Sequence, residues 1–307
     1  MEERFKGLIA AAYTPMKEDG GLFLDKVDSL AEHLFLQGVE GVFVCGSTGE
    51  GVSLSLEERM ETARRWAETA GDSLKVIVHV GALCRQDSVI LANHARALGA
   101  AAVSAFAPFY YKPATVEDLL DFLAPIAQAA SPLPFYFYHV PLISGVDLPL
   151  AEVLEKGVER IPNLRGAKYT SKDMSGFQEC LALQEGRFDI LFGVDEWLLA
   201  GLALGAEGAV GSTYNYAASL YQELVLRFKE GDVDQARELS RKVGALVKIL
   251  RKYGVIPGGK AILSMAGVEC GPPRPPLRAL GPVQVKALYR ELKEADLDEF
   301  LHLQPPR

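Results

Sequence analysis

In the stretch RGAKYTSKD (165–173), Lys168 follows Gly166 and Ala167 and precedes Tyr169 and Thr170, so an ammonium stands where a buried strand is expected to end. A buried amine is costly unless it is paired or deprotonated. A lysine can also lay its stem along apolar surface and lift its head into water, so Lys168 gains meaning only from what could face it. Four other stretches supply candidates. PFYFYHVP (134–141) carries Tyr136 and Tyr138, CGSTGE (45–50) places Ser47 and Thr48 between glycines, FDILFGVDE (188–196) ends in Asp195 and Glu196 behind Gly193, and GAVGSTY (208–214) carries Ser212.

An amine, a phenolic hydroxyl and a turn of amides and hydroxyls are what carbinolamine chemistry requires: a nucleophile, a proton relay and an anion holder. The amine attacks a ketone only when neutral, and burial lowers the pKa of an amine toward working pH. The resulting imine is an electron sink that stabilises the carbanion left when a carbon–carbon bond breaks, and a tyrosine suits the proton transfer. Each stretch also has a plainer reading. GSTG can be a turn and helix cap, YHVP core aromatics followed by a loop proline, and VDE a solvated helix start.

Chemistry of this kind needs the five stretches at one end of one scaffold. Eight runs rich in β-branched and aromatic residues recur along the chain, at 7–15, 41–50, 75–81, 101–109, 134–141, 164–170, 188–196 and 208–214. Amphipathic segments lie between them, such as SLEERMETARRWAETAG, where Ser55 is a candidate N-cap with Glu58 three residues on. The segments QGVEGVFVCGST and LGAEGAVGST share a Gly-x-Glu-Gly step and hint at repeated βα units. The first strand is followed by no GxGxxG, which argues against an open dinucleotide-binding sheet. The expectation is an α/β fold, a closed (β/α)8 TIM barrel over residues 1–217 that carries the site at the C-terminal ends of its strands. Residues 218–307 are expected to form a helical extension packed on the barrel, the last barrel helix lying near 218–230. On such strands Lys168 and Thr170 share a face, as do Tyr136 and Tyr138, and all four are expected at the mouth.

Composition narrows the class. The 307 residues are 49% apolar and 23% charged, enough for a large core, and 40 acidic against 32 basic residues give a net charge of −8. With no basic cluster, neither nucleic acid nor an anionic membrane is an expected partner. No run is long enough to span a bilayer and no signal peptide is expected, which points to the cytoplasm. The four cysteines are scattered and read as reduced thiols, and the five histidines lack ligand spacing.

Taken together, GSTGE (46–50), YHVPLISG (138–145), GAKYTSKD (166–173), GVDE (193–196) and GAVGSTYN (208–215) resemble the N-acetylneuraminate lyase and dihydrodipicolinate synthase family of class I aldolases, across essentially the whole chain and in the family's order. FGVDEWLLAGLALGAEGAVGSTYNY and GPPRPPL resemble its animal-type lyases most. The resemblance implies Lys168 as the Schiff-base lysine, Tyr138 as proton relay, and Ser47 and Thr48 as holders of the substrate carboxylate. It further implies Thr170, Gly193, Asp195, Glu196 and Ser212 as binding positions, the last four for a polyol tail. Ionised carboxylates suit such a tail because they accept what hydroxyls donate. The implied reaction is reversible cleavage of N-acetylneuraminate to N-acetylmannosamine and pyruvate, with no metal or organic cofactor and a homotetrameric assembly. Dihydrodipicolinate synthase or another pyruvate-dependent sugar-acid aldolase could use the same lysine, and a non-catalytic barrel could bind a sugar acid. Against the synthase stands YHVPLISG, read as placing Leu142 where YNVPxRTG has an arginine.

Overall fold

The computed structural model describes residues 4–306. Eight parallel strands, β1 (Gly7–Ala11), β2 (Gly41–Val44), β3 (Lys75–His79), β4 (Ala102–Phe106), β5 (Phe135–His139), β6 (Leu164–Tyr169), β7 (Asp189–Phe192) and β8 (Gly208–Gly211), pair in chain order and close where β8 meets β1. The fold is therefore a (β/α)8 barrel, as its eight runs led one to expect. Each strand is shorter than its run because the C-terminal residues, such as Gly46–Glu50 and Gly193–Glu196, leave the ladder and form the loops of the mouth.

The helices among the described residues are α1 (Lys26–Leu36), α2 (Leu56–Ala70), α3 (Arg85–Ala97), α4 (Val116–Ala130), α5 (Pro141–Ser144), α6 (Leu150–Arg160), α7 (Met174–Ala182), α8 (Leu198–Leu204), α9 (Tyr214–Lys229), α10 (Val233–Tyr253), α11 (Val255–Met265) and α12 (Pro282–Glu294). Ser55 caps α2 in a capping box, its hydroxyl accepting from the Glu58 amide at 3.2 Å while Glu58 Oε2 accepts from the Ser55 amide at 2.8 Å. Helix α9 kinks at Ala217, and α10 packs against α8, α9, α11 and α12, so the C-terminal helices lie directly on the barrel wall.

Alternation along each strand sorts the side chains. Leu8, Ala10, Val42, Val44, Val76 and Val78 face the helices, whereas Ile9, Ala11, Phe43, Ile77, Phe106 and Tyr138 fill the barrel. On β6 the outward residues Ala167 and Tyr169 join the helix-facing core, which turns Lys168 inward. A slip of one residue would exchange Lys168 for Tyr169. The register is fixed by close approach at Gly166, where a Cβ would lie 1.8 Å from the Asp189 carbonyl oxygen. The two Gly-x-Glu-Gly echoes also gain a meaning. Gly38 and Gly205 turn the chain with left-handed φ of 68° and 108°, and the strands they lead into flank β1 on its two sides.

Candidate active site

Strand β5 pairs with β6 so that Tyr138 lies opposite Lys168. Lys168 is 5% exposed, and its Nζ lies 4.3 Å from the centroid of the Tyr138 ring and 4.4 Å from that of Phe43. Two aromatic faces thus flank the amine, and among the described residues no carboxylate forms an ion pair with it. The Tyr138 ring is held edge-on by Phe43 and His79, each at 5.6 Å, while its hydroxyl donates to no protein acceptor among the described residues. His79 is buried beside the same rings, and burial together with the Arg59 and Lys168 charges keeps its pKa well below the ordinary value, so it is neutral.

Tyr136 departs from the sequence expectation. It shares a face with Tyr138, but two residues along a strand displace it by about 7 Å. It lies fully buried toward the base, where its hydroxyl donates to Asp189 Oδ2 at 2.7 Å and the Phe5 amide donates to the same oxygen at 2.9 Å. It is not a mouth residue.

Beyond β2 the chain makes a tight turn that carries Ser47 and Thr48. Cys45 and Glu50 bound it with left-handed φ of 58° and 55°, and the Glu50 and Gly51 amides donate back to the carbonyls of Ser47 and Gly46 at 3.1 and 3.0 Å. Thr14, from the loop after β1, donates its hydroxyl to Gly49 O at 2.6 Å. The Ser47 and Thr48 amides donate to no protein acceptor among the described residues, which leaves a small nest open to an anion.

The loops after β6, β7 and β8 enclose a cavity of about 590 Å³ that brings Thr170, Gly193, Asp195, Glu196 and Ser212 together. Lys168, Tyr138, Ser47 and Thr48 are not part of its lining; Thr170, two residues beyond Lys168, and Asp195, whose carboxyl feels the Lys168 charge, connect the two regions. Asp195 Oδ2 accepts from the Thr213 amide at 2.9 Å, the Thr213 hydroxyl at 2.6 Å and Ser212 Oγ at 3.4 Å. The Thr213 hydroxyl lies in turn 2.6 Å from that of Tyr221. Burial raises the Asp195 pKa while the Thr213 bonds and Lys168 oppose the rise. Glu196 is tied to Arg251 of α10 at 2.6 Å and lies 3.9 Å from Lys172. The Thr170 hydroxyl is turned in against Gly193, where a Cβ would come within 2.2 Å of it.

Several contributors lay outside the sequence reading. Thr213 anchors Asp195, and Val247, Leu250, Arg251 and Val255 show that the C-terminal helices wall the cavity. A lone lysine in the apolar stretch GGKAILSMAG was a legible signal for Lys260, which reaches the turn after β2. The arginine expected opposite Leu142 also needs correction. Counted residue by residue from Tyr138 to Gly145, YNVPxRTG places it at Ile143, and Leu142 takes the variable position. Both are apolar and open to solvent, at 92% and 65% exposure, so the missing charge stands. Among the described residues, no group of three or more His, Cys, Asp or Glu is placed to hold a metal ion.

The model of the dihydrodipicolinate synthetase family matches residues 4–295. The N-acetylneuraminate lyase of Pongo abelii is 38% identical, covering 98% of this chain and 96% of its own. Among solved structures, the Proteus mirabilis N-acetylneuraminate lyase superimposes with a TM-score of 0.94 at 41% identity, covering 96% of this chain and all of the other. A catalytic-lysine mutant of the Ruminococcus gnavus sialic acid aldolase gives 0.90 at 29% identity, covering 97% and 98%.

Proposed function

Since the chain belongs to the dihydrodipicolinate synthetase family, we propose that it is a class I aldolase cleaving N-acetylneuraminate reversibly to N-acetylmannosamine and pyruvate. The observation that carries the reading is Lys168, buried between two aromatic rings, in register with Tyr138, and next to a cavity with two carboxylates. In this reading neutral Lys168 attacks the C2 ketone of the open-chain sugar acid, and Tyr138 gives its phenolic proton to the C2 hydroxyl of the carbinolamine, which leaves as water to give the protonated imine and a phenolate. Tyr138 takes the proton of the C4 hydroxyl as the C3–C4 bond breaks and its electron pair moves into the imine. N-acetylmannosamine departs, and the pyruvate enamine is protonated at C3 and hydrolysed, which restores the amine. Ser47 and Thr48 hold the carboxylate with amides and hydroxyls.

The polyol tail is received by Asp195, Glu196, Ser212 and the Gly193 backbone. Asp195 keeps Oδ1 for a sugar hydroxyl because its other oxygen is already occupied, and Thr170 completes the wall, its hydroxyl reaching a ligand by rotation about χ1. Arg251, in the wall of this cavity, is already bonded to Glu196 at 2.6 Å, and the carboxylates of Asp195 and Glu196 favour a neutral tail over the acidic one of an amino-acid semialdehyde. We further infer a barrel unit over residues 1–217 and an extension over 218–307, whose outer ends, 1–3 and 307, lie outside the described residues. We place the reaction in the cytoplasm, a reading supported by four unpaired cysteines, three of them buried singly. A homotetramer is supported by the exposed Tyr110, Tyr111, Leu142 and Ile143 at the rim. The test is kinetic: pyruvate released from N-acetylneuraminate is compared with condensation of pyruvate onto aspartate semialdehyde. A larger kcat/KM with the semialdehyde overturns the substrate and leaves Lys168 in place.

A further inference from the structure

Lys260 and Glu50 form a deeply buried ion pair, at 4% and 3% exposure. The ammonium stands 2.9 Å from Glu50 Oε1 and donates to the carbonyls of Thr14 at 3.0 Å and Pro272 at 2.9 Å. The other Glu50 oxygen accepts from the Arg274 amide at 2.7 Å. A pair this desolvated is a poor source of stability, since apolar residues of similar size commonly serve as well, so its placement asks for another reason.

That placement is the turn carrying Ser47 and Thr48. Glu50 closes it, with its amide on Ser47 O and its backbone in the left-handed region, a conformation that persists in a non-glycine residue only when its surroundings hold it. Thr14, whose carbonyl receives Lys260, holds the same turn from the other side through Gly49 O. Three separate segments, the loop after β1, helix α11 and the stretch around 272–274, therefore converge on four residues of loop. We propose that the Glu50–Lys260 pair is a positioning clamp that keeps the Ser47 and Thr48 donors aimed at the substrate carboxylate, so that the C-terminal extension governs recognition at the pyruvate end. The inference rests on reading Ser47 and Thr48 as the carboxylate holders. Lys168 stands on β6, outside the clamp, so its amine chemistry survives when the clamp is released.

The experiment compares borohydride trapping of pyruvate with that of acetone, a ketone without the carboxylate, in the wild type, Glu50→Gln, Lys260→Met and the double variant, which strands no charge. Wild type should trap pyruvate in strong preference to acetone. The variants should lose about tenfold of that preference, the scale of one charge-assisted hydrogen bond, while acetone trapping holds. If these variants precipitate, Glu50→Asp, which keeps both charges but shortens the carboxylate's reach toward Lys260 by one methylene, carries the test with a loss in the same direction expected. A purely structural role would depress both ketones together, and an unchanged ratio overturns the clamp alone. A wild type without preference overturns the carboxylate reading and the clamp with it.

Discussion

Among single residues, Lys168 and Tyr138 carry the proposed chemistry and Asp195 and Glu196 the recognition. Tyr138→Phe removes only a hydroxyl from a ring packed on Phe43 and His79, so the fold should persist while kcat falls by about 10²–10⁴-fold, the usual worth of a positioned acid–base group; a near-normal kcat would remove Tyr138 from the mechanism. Asp195→Asn and Glu196→Gln should instead raise KM for N-acetylneuraminate by about tenfold or more and still allow pyruvate to be trapped on the enzyme. His139 predicts a pH effect on stability. Burial holds its pKa at about 4 against an ordinary 6.5, although Asp147 and Asp173 pull the other way. The unfolded chain therefore binds more protons between those values, and stability falls as pH drops through the window, by at most about 3 kcal/mol. His139→Phe should flatten that part of the acid limb in denaturant titrations at successive pH values; an equal slope in both proteins would refute the assignment.

Elements were more legible in the sequence than the contacts between them. Runs rich in β-branched and aromatic residues such as KVIVHV and FYFYHV mark strands because both faces of a parallel barrel are buried, and in LRGAKY a period of two places Lys168 inward once Ala167 and Tyr169 face the helices. Hidden from that pattern was depth. Tyr136 and Tyr138 look equivalent in sequence, yet one bonds Asp189 near the base and the other meets Lys168. Hidden too were Glu50, Thr213 and Arg251, whose partners lie on distant elements that local periodicity does not relate. The loop after β7 offers a test of this scale. Gly193→Ala would drive a Cβ to within 2.2 Å of the Thr170 hydroxyl and 2.9 Å of the Tyr169 carbonyl, so it should destabilise the protein by about 1–3 kcal/mol and blur tail preference. Removing the obstructing hydroxyl as well, with Thr170→Ala, should recover part of the loss in thermal unfolding. A Gly193→Ala melting curve that matches wild type would contradict the packing.

For the whole molecule, the barrel and its C-terminal helices act as one device. The C-terminal strand ends carry the amine, the phenol and the turn of Ser47 and Thr48, while α10 and the start of α11 wall the neighbouring cavity and α11 reaches that turn through Lys260. If the proposed homotetramer forms, sedimentation at micromolar concentration should reveal a species of four chains, and assembly should cover the exposed Tyr110, Tyr111, Leu142 or Ile143; a monomer at that concentration would refute the proposal. The central claim, that Lys168 cleaves a sialic acid through an imine, is tested most directly by borohydride reduction with N-acetylneuraminate as the sole carbonyl donor, followed by peptide mapping. A reduced pyruvate adduct is expected on the peptide containing Lys168, with N-acetylmannosamine found in solution as the alditol that borohydride makes of it, and neither in Lys168→Ala. An unmodified Lys168 peptide in an enzyme that still releases pyruvate, or an adduct on another lysine, would contradict it.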